Sequence, residues 1–66
     1  MKLEVDTESD VVRLLLDEAS IVESEEVQPG VILDYNAEGK VVGLEILGVT
    51  TRVPAQALRT LQFETA

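Results

Sequence analysis

The feature that most constrains the fold is a turn signal near the middle of the chain, Gln28-Pro29-Gly30. Proline presets φ for the first central position of a tight turn, and glycine accepts the positive φ of the second. A polar segment that ends in glycine, Asn36-Ala37-Glu38-Gly39, separates two apolar runs at residues 31–35 and 40–47. Short apolar runs bounded by such turns are typical of β-strands. The centre of the chain therefore predicts a sharp reversal followed by a β-hairpin.

Two further segments read as exposed or half-buried strands. Residues 2–6 alternate polar and apolar side chains, which predicts a strand with Leu3 and Val5 pointing inward. Residues 21–27 are rich in glutamate and predict a more exposed strand, whose charges would protect a sheet edge.

Residues 11–16 are apolar except for Arg13. An amphipathic helix can be drawn through them, but six residues are short for a helix and two of them are β-branched. We therefore predict a central strand that buries Val12, Leu14 and Leu16.

Pro54 suits the first turn of a helix, because proline lacks the N–H that has no partner there. Ala57, Leu58 and Leu61 follow at helical spacing, and Phe63 can close the end of the apolar stripe. We predict a single α+β domain over residues 1–66. It would comprise an antiparallel β-meander of four or five strands at about 2–48, with one C-terminal helix at about 54–62 packed on the sheet.

The second arm of the hairpin has two dissimilar faces. Val42, Leu44 and Ile46 share one face. Val41 and Leu47 lie on the other face together with Gly43 and Glu45, so this face is not cleanly polar. We predict that Val41 and Leu47 pack under the helix or against another subunit.

The chain has 66 residues, no cysteine and no histidine. Disulfides and structural zinc, which stabilise many small domains, are therefore excluded; this leaves an efficient core or an oligomer, and of the two we expect a homodimer. The same absence removes the commonest general base, the thiol nucleophile and the soft metal ligands. We expect a protein that is not an enzyme and that has no cofactor.

The net charge of −8 disfavours nucleic acid as a partner, since phosphate binding depends on lysine and arginine. Residues 1–33 hold nine acids and two bases, so the first half could attract a small basic protein, with Glu23, Glu25 and Glu26 as candidate contacts. The alternative is an acidic surface that only maintains solubility.

No apolar run is long enough to span a membrane and no signal peptide is evident, so we expect a cytoplasmic protein without a membrane partner.

Asp6, Glu8 and Asp10 stand at alternate positions and resemble the start of a calcium loop, which makes them candidate divalent-metal ligands. The loop's glycine position holds Val11, however, and apolar strand residues follow. The alternative is that Asp6 and Asp10 bracket a turn and accept hydrogen bonds from nearby backbone N–H groups.

The order of these segments also resembles a known family. Asp6-x-x-x-Asp10 and an apolar strand are followed by an acidic strand, Pro29-Gly30-Val31-Ile32-Leu33-Asp34-Tyr35, and Gly39-Lys40-Val41-Val42-Gly43-Leu44-Glu45-Ile46-Leu47. From about residue 2 to residue 47 the chain resembles the YuzE-like family, domain-of-unknown-function family 2283. One departure is Val12-Arg13, where the family usually carries a tyrosine.

The resemblance implies a small bacterial or archaeal cytosolic domain of antiparallel strands with a terminal helix, and no established activity or cofactor. Some relatives look like partners of small toxin-like proteins. We therefore predict a non-enzymatic, homodimeric protein-interaction module. The alternatives are an antitoxin-like acidic partner of a small basic toxin and a divalent-metal-binding domain.

Overall fold

The computed structural model describes residues 1–66 as one antiparallel sheet of five strands. The strands are β1 (Lys2–Asp6), β2 (Val11–Leu15), β3 (Glu23–Gln28), β4 (Val31–Tyr35) and β5 (Val41–Leu47). Their order across the sheet is β1-β2-β5-β4-β3. The antiparallel sheet is confirmed, but the simple meander is wrong, because β5 and β4 lie between the consecutive strands β2 and β3.

Both predicted turns of the central region are confirmed. Gly30 has a φ of +80° and its N–H donates to Glu26 Oε2 at 3.0 Å. Gly39 has a φ of +78°, and the Asn36 side chain closes that loop by accepting the N–H of Lys40 at 3.0 Å. These positive φ values explain why glycine stands at both positions.

The predicted C-terminal helix is wrong. After β5 the chain forms only short 3-10 turns, Val49–Thr51 and Ala55–Arg59, and it is extended again at Thr60, with a φ of −129°. No side chain caps the second turn, although Pro54 precedes it as the sequence suggested. Helices shorter than about 12 residues are marginal in water without strong packing, and these side chains are mostly exposed.

The strand registers place two apolar rows on one side of the sheet, which we call the apolar face. The first row aligns one leucine from each of four adjacent strands: Leu3, Leu14, Leu44 and Leu33. The second row aligns Val5, Val12, Ile46 and Val31. Neither a helix nor a second sheet covers this face, and Leu3 and Val5 are 40% and 42% exposed instead of pointing into a core.

The opposite side, which we call the polar face, carries Arg13 and Glu45 side by side, with Asp34 on the neighbouring row. It also carries Val11 and Leu15, which are among the most buried residues of the protein. The prediction that β2 buries Val12, Leu14 and Leu16 is therefore wrong: the register is shifted by one residue, and the buried side chains are Val11 and Leu15. No helix in the structure has the length and apolar character needed to cross a membrane.

Candidate functional site

The most buried polar group of the protein is the Asp34 carboxyl, at 2% exposure in the middle of the polar face. Asp34 on β4 pairs with Gly43 on β5, and its side chain lies across that glycine. A Cβ atom at position 43 would lie 2.5 Å from Asp34 Oδ2 and 3.0 Å from Asp34 Cβ. Glycine is therefore the only residue at this position that leaves room for the aspartate.

Asp34 connects three strands through its side chain. Ser24 on β3 donates its hydroxyl to Asp34 Oδ1 at 2.6 Å, whereas Oδ2 is buried and receives no N–H or O–H. Glu45 on β5 lies on the same face, two residues along the strand from Gly43.

Burial raises the pKa of Glu45, and the hydrogen bond and negative charge of Asp34 raise it further. Arg13 on β2 opposes this effect, because its Nε donates to Glu45 Oε1 at 3.1 Å. We call Arg13, Ser24, Asp34 and Glu45 the carboxylate cluster. It links four adjacent strands, β2, β5, β4 and β3, and its buried aspartate is closed to a ligand, so its evident role is to hold the sheet together.

The apolar face carries the one cavity of the structure, a groove of about 690 Å³ lined only by apolar side chains. It is lined by Met1, Leu3 and Leu14, from the first two strands and the residue before them, and by Leu61 and Phe63 near the C-terminus. Leu61 is 71% exposed and Phe63 is 81% exposed. The C-terminal segment thus lines the groove while most of its own apolar surface faces solvent.

Of the three predicted metal ligands, Asp6 and Asp10 accept hydrogen bonds from other parts of the chain, and Glu8 contributes only its backbone N–H. Asp6 Oδ1 accepts the N–H groups of Glu8 and Ser9 at 3.1 and 3.0 Å, and these bonds, with that of Ser9 the stronger, lower the pKa of Asp6. Asp10 accepts the N–H of Thr50 at 3.0 Å and its hydroxyl at 2.7 Å. Asp6 behaves as the turn interpretation predicts, whereas the donor to Asp10 lies 40 residues away.

Asp10 also holds a left-handed backbone, with a φ of +57°, which short polar side chains tolerate better than most. Its carboxylate and carbonyl both bind the turn after β5, since Val49 N–H donates to Asp10 O at 3.1 Å. No group of three or more acidic side chains in the structure is arranged to hold a metal ion.

The predicted acidic contacts lie on the exposed edge strand β3, but they are not one patch. Glu23 and Glu25 pair with Tyr35 and Leu33 and so belong to the apolar-face side of the strand, while Glu26 points the other way. Tyr35 donates its hydroxyl to Glu25 Oε1 at 3.2 Å; burial, followed by this bond, raises the pKa of Tyr35.

Val41 and Leu47 are 44% and 37% exposed and lie at opposite ends of β5. Gly43 and Glu45 separate them, so about 20 Å of strand with a polar centre lies between the two apolar side chains. Their part in an interface stays a prediction.

Sequence reasoning missed the carboxylate cluster. The available signal was one residue in each of two neighbouring strands that is unusual in a strand: Asp34 in an otherwise apolar segment and Gly43 in a segment rich in β-branched residues. A strand glycine often marks the close approach of another group, and the hairpin register places these two residues opposite each other.

A family model described as "Protein of unknown function (DUF2283)" matches residues 2–49. The match covers about three quarters of the chain and contains all five strands, so the protein belongs to this family. Of the residues that line the apolar groove, Leu3 and Leu14 fall inside the match, whereas Leu61 and Phe63 fall outside it. No curated protein and no solved structure matches the chain.

Proposed function

We propose that this domain is a non-enzymatic protein-interaction module that forms a homodimer through its apolar face. The observation that carries the proposal is the row of four leucines, one from each of four adjacent strands, with no second layer above it. Stable domains bury such a face against another layer of structure. Since the chain supplies neither a helix nor a second sheet, the missing layer is a second copy.

The dimensions of the molecule suit such an interface when the loops and the C-terminal segment are counted with the sheet. The molecule measures 37 × 31 × 20 Å, so its broad side as a whole has a footprint on the order of 1,000 Å². A stable interface needs about 800 Å² from each partner. Contact between identical faces about a two-fold axis closes both copies at once and leaves no apolar row exposed.

Because the net charge is −8, the direction in which added salt changes the affinity distinguishes a homodimer from a complex with a basic protein. Two copies repel each other over their whole surfaces, so added salt strengthens a homodimer held by apolar contacts. A complex with a basic protein is weakened by added salt instead.

We place this module in the cytoplasm, since the chain has no cysteine that an oxidising compartment would use.

The test compares lysine substitutions at two adjacent residues of β4 that point to opposite faces, Leu33→Lys and Ile32→Lys. Both side chains are partly buried, and Ile32 lies between Glu45 and Glu26, so a lysine there meets acids. Sedimentation equilibrium of the wild type should show a dimer at micromolar concentrations. Leu33→Lys should raise the dimer Kd by about 100-fold or more, because it puts a charged side chain from each copy in the middle of an apolar interface, while Ile32→Lys should leave it within a few-fold.

Circular dichroism of both variants provides the control for folding. A wild-type chain that stays monomeric at millimolar concentration would overturn the proposal. Equal weakening by the two variants would place the interface somewhere other than the apolar face.

A second candidate, an antitoxin-like acidic partner of a small basic protein, is favoured by the edge strand β3. Its outer backbone groups have no partner strand, and its exposed Glu23, Glu25 and Glu26 surround them. Such an edge can take up a further strand while the acids attract a basic chain. Native mass spectrometry of the tagged protein from its own cells, with and without charge reversal at these glutamates, tests this candidate. Retention of the same basic protein after reversal would rule out this surface.

A further inference from the structure

The C-terminal segment lines one half of the apolar face, and we call the other half, where Val31 is buried and Leu33 and Leu44 are partly buried, the bare half because no C-terminal residue lines the groove there. The C-terminal side chains Leu61 and Phe63 lie beside Leu3 and Leu14, on the β1 and β2 half of the face. The β5 and β4 half carries the other two leucines of the row, and no part of the C-terminal segment lines the groove there. We call residues 59–63 the C-terminal arm.

A face raised on one half and bare on the other is complementary to itself about a two-fold axis. The rotation that stacks two such faces brings the raised half of each copy over the bare half of the other. The arm is suited to this position, because its apolar side chains are 71% and 81% exposed in the single chain. Large apolar side chains left in water at the rim of an apolar face indicate an interaction site.

We propose that the C-terminal arm of each chain packs against Leu33 and Leu44 of a second copy and so fastens the dimer. This inference rests on the proposed dimer, and it adds the partner segment and the residues that the segment meets. Leu61 and Phe63 fill the space between the two sheets, and each arm contacts its own leucines on one side and the partner's on the other.

Charge supports the same arrangement. Arg59, at the start of the arm, forms no ion pair within its own chain, where only Lys2 and Arg13 do so. Glu23 and Glu25 lie on the apolar-face side of β3, next to the bare half. An arm that crosses the partner's β4 therefore brings its arginine towards these two glutamates.

The test combines an affinity measurement with a cross-link. The double substitution Leu61→Ser/Phe63→Ser should raise the dimer Kd by about 10- to 100-fold, because two large side chains lose their burial. The fold is expected to persist, since both side chains are mostly exposed in the single chain. Val22→Ser, just before β3 on the side of Ser24, is 66% exposed and outside the arm; it is the matched control and should change the Kd by less than about threefold.

The natural chain has no cysteine, so thiol cross-linking can be directed. A mixture of Phe63→Cys chains and Leu33→Cys chains, treated with a short bis-maleimide, should yield mixed dimers. Phe63→Cys mixed with Glu38→Cys, at the tip of the hairpin loop, should not. If the wild type dimerises but the double substitution leaves its Kd unchanged and no mixed dimer forms, the arm inference is wrong and the dimer stands. A monomeric wild type would overturn both.

Discussion

The two faces of the sheet bury different kinds of side chain. The polar face holds a buried aspartate at 2% exposure and two buried apolar side chains, Val11 and Leu15, each at 6%. The apolar face has two aligned rows of leucine, valine and isoleucine, yet Leu3 and Val5 at its β1 edge are 40% and 42% exposed. The polar face thus has a closed centre, whereas the apolar face buries Val31, at 9% exposure, and leaves its β1 edge open.

The two faces also differ in which parts of the chain cover them. The polar face is completed within the chain: the turn Glu18–Ser20 contacts β5, Lys2 pairs with Glu18 at 3.9 Å, and the carboxylate cluster spans four strands. The apolar face has only the loosely packed C-terminal arm. A sheet whose apolar face lacks a second layer over part of its area is suited to pack against another layer of structure.

The largest expected effect contrasts one leucine from each face. Leu15→Ala should lower the free energy of unfolding by about 3 kcal/mol, because Leu15 is buried and its loss leaves a cavity. Leu3→Ala should lower it by about 1 kcal/mol or less when the chain is dilute enough to be monomeric, since Leu3 is already 40% exposed. Urea titration at low and high protein concentration measures both. Equal losses in the dilute chain would contradict the contrast between the faces.

A somewhat smaller effect is expected from Gly43→Ala on the polar face. The new Cβ would lie 2.5 Å from Asp34 Oδ2, so the buried carboxyl must shift or the two strands must separate, at a cost of about 2 kcal/mol. In an Asp34→Ala background the most crowded atom is gone, and at least half of that cost should disappear. A double-mutant cycle by urea unfolding measures this coupling. Additive losses would mean that Asp34 and Gly43 do not constrain each other.

Part of this fold could be predicted from the sequence because its turns are chemically explicit. Gly30 and Gly39 have the positive φ values that their positions require, and the hairpin between them follows. The register of β2 could not be predicted, because an almost continuous apolar run conceals the two-residue period of a strand. The helix prediction was wrong because Pro54 is only a start signal: the 3-10 turns that follow it end at Arg59, and so short a segment does not form a stable helix.

The sites were predictable to different extents. The Asp6 turn follows from local spacing, and its two backbone bonds are present. Asp10 and Asp34 depend on partners that only the folded chain brings near, Thr50 for the first and Ser24 and Gly43 for the second. The open apolar face depends on the failure of the helix that was expected to cover it.

The smallest effect concerns the pH dependence of the polar face. Because the fold raises the pKa of Glu45, its contribution to stability is complete below the ordinary value of 4.5 and is lost as the pH rises through the raised pKa. Asp6 has a lowered pKa, so its contribution is present above the ordinary value of 3.8 and is lost as the pH falls below it. Between pH 4.5 and 7 the change in stability therefore reports on Glu45 and not on Asp6.

Asp34→Asn should make the decline between pH 4.5 and 7 shallower and raise the free energy of unfolding at pH 7 by about 1 kcal/mol. The amide removes the neighbouring negative charge that raises the pKa of Glu45, and its oxygen still accepts the Ser24 hydroxyl. Asp6→Asn makes the same change of charge outside the cluster and should leave that decline unaltered. Urea unfolding at half-unit pH steps measures both variants. A decline as steep in Asp34→Asn as in the wild type would mean that Asp34 does not set the ionisation of Glu45, and that the polar face is closed by packing alone.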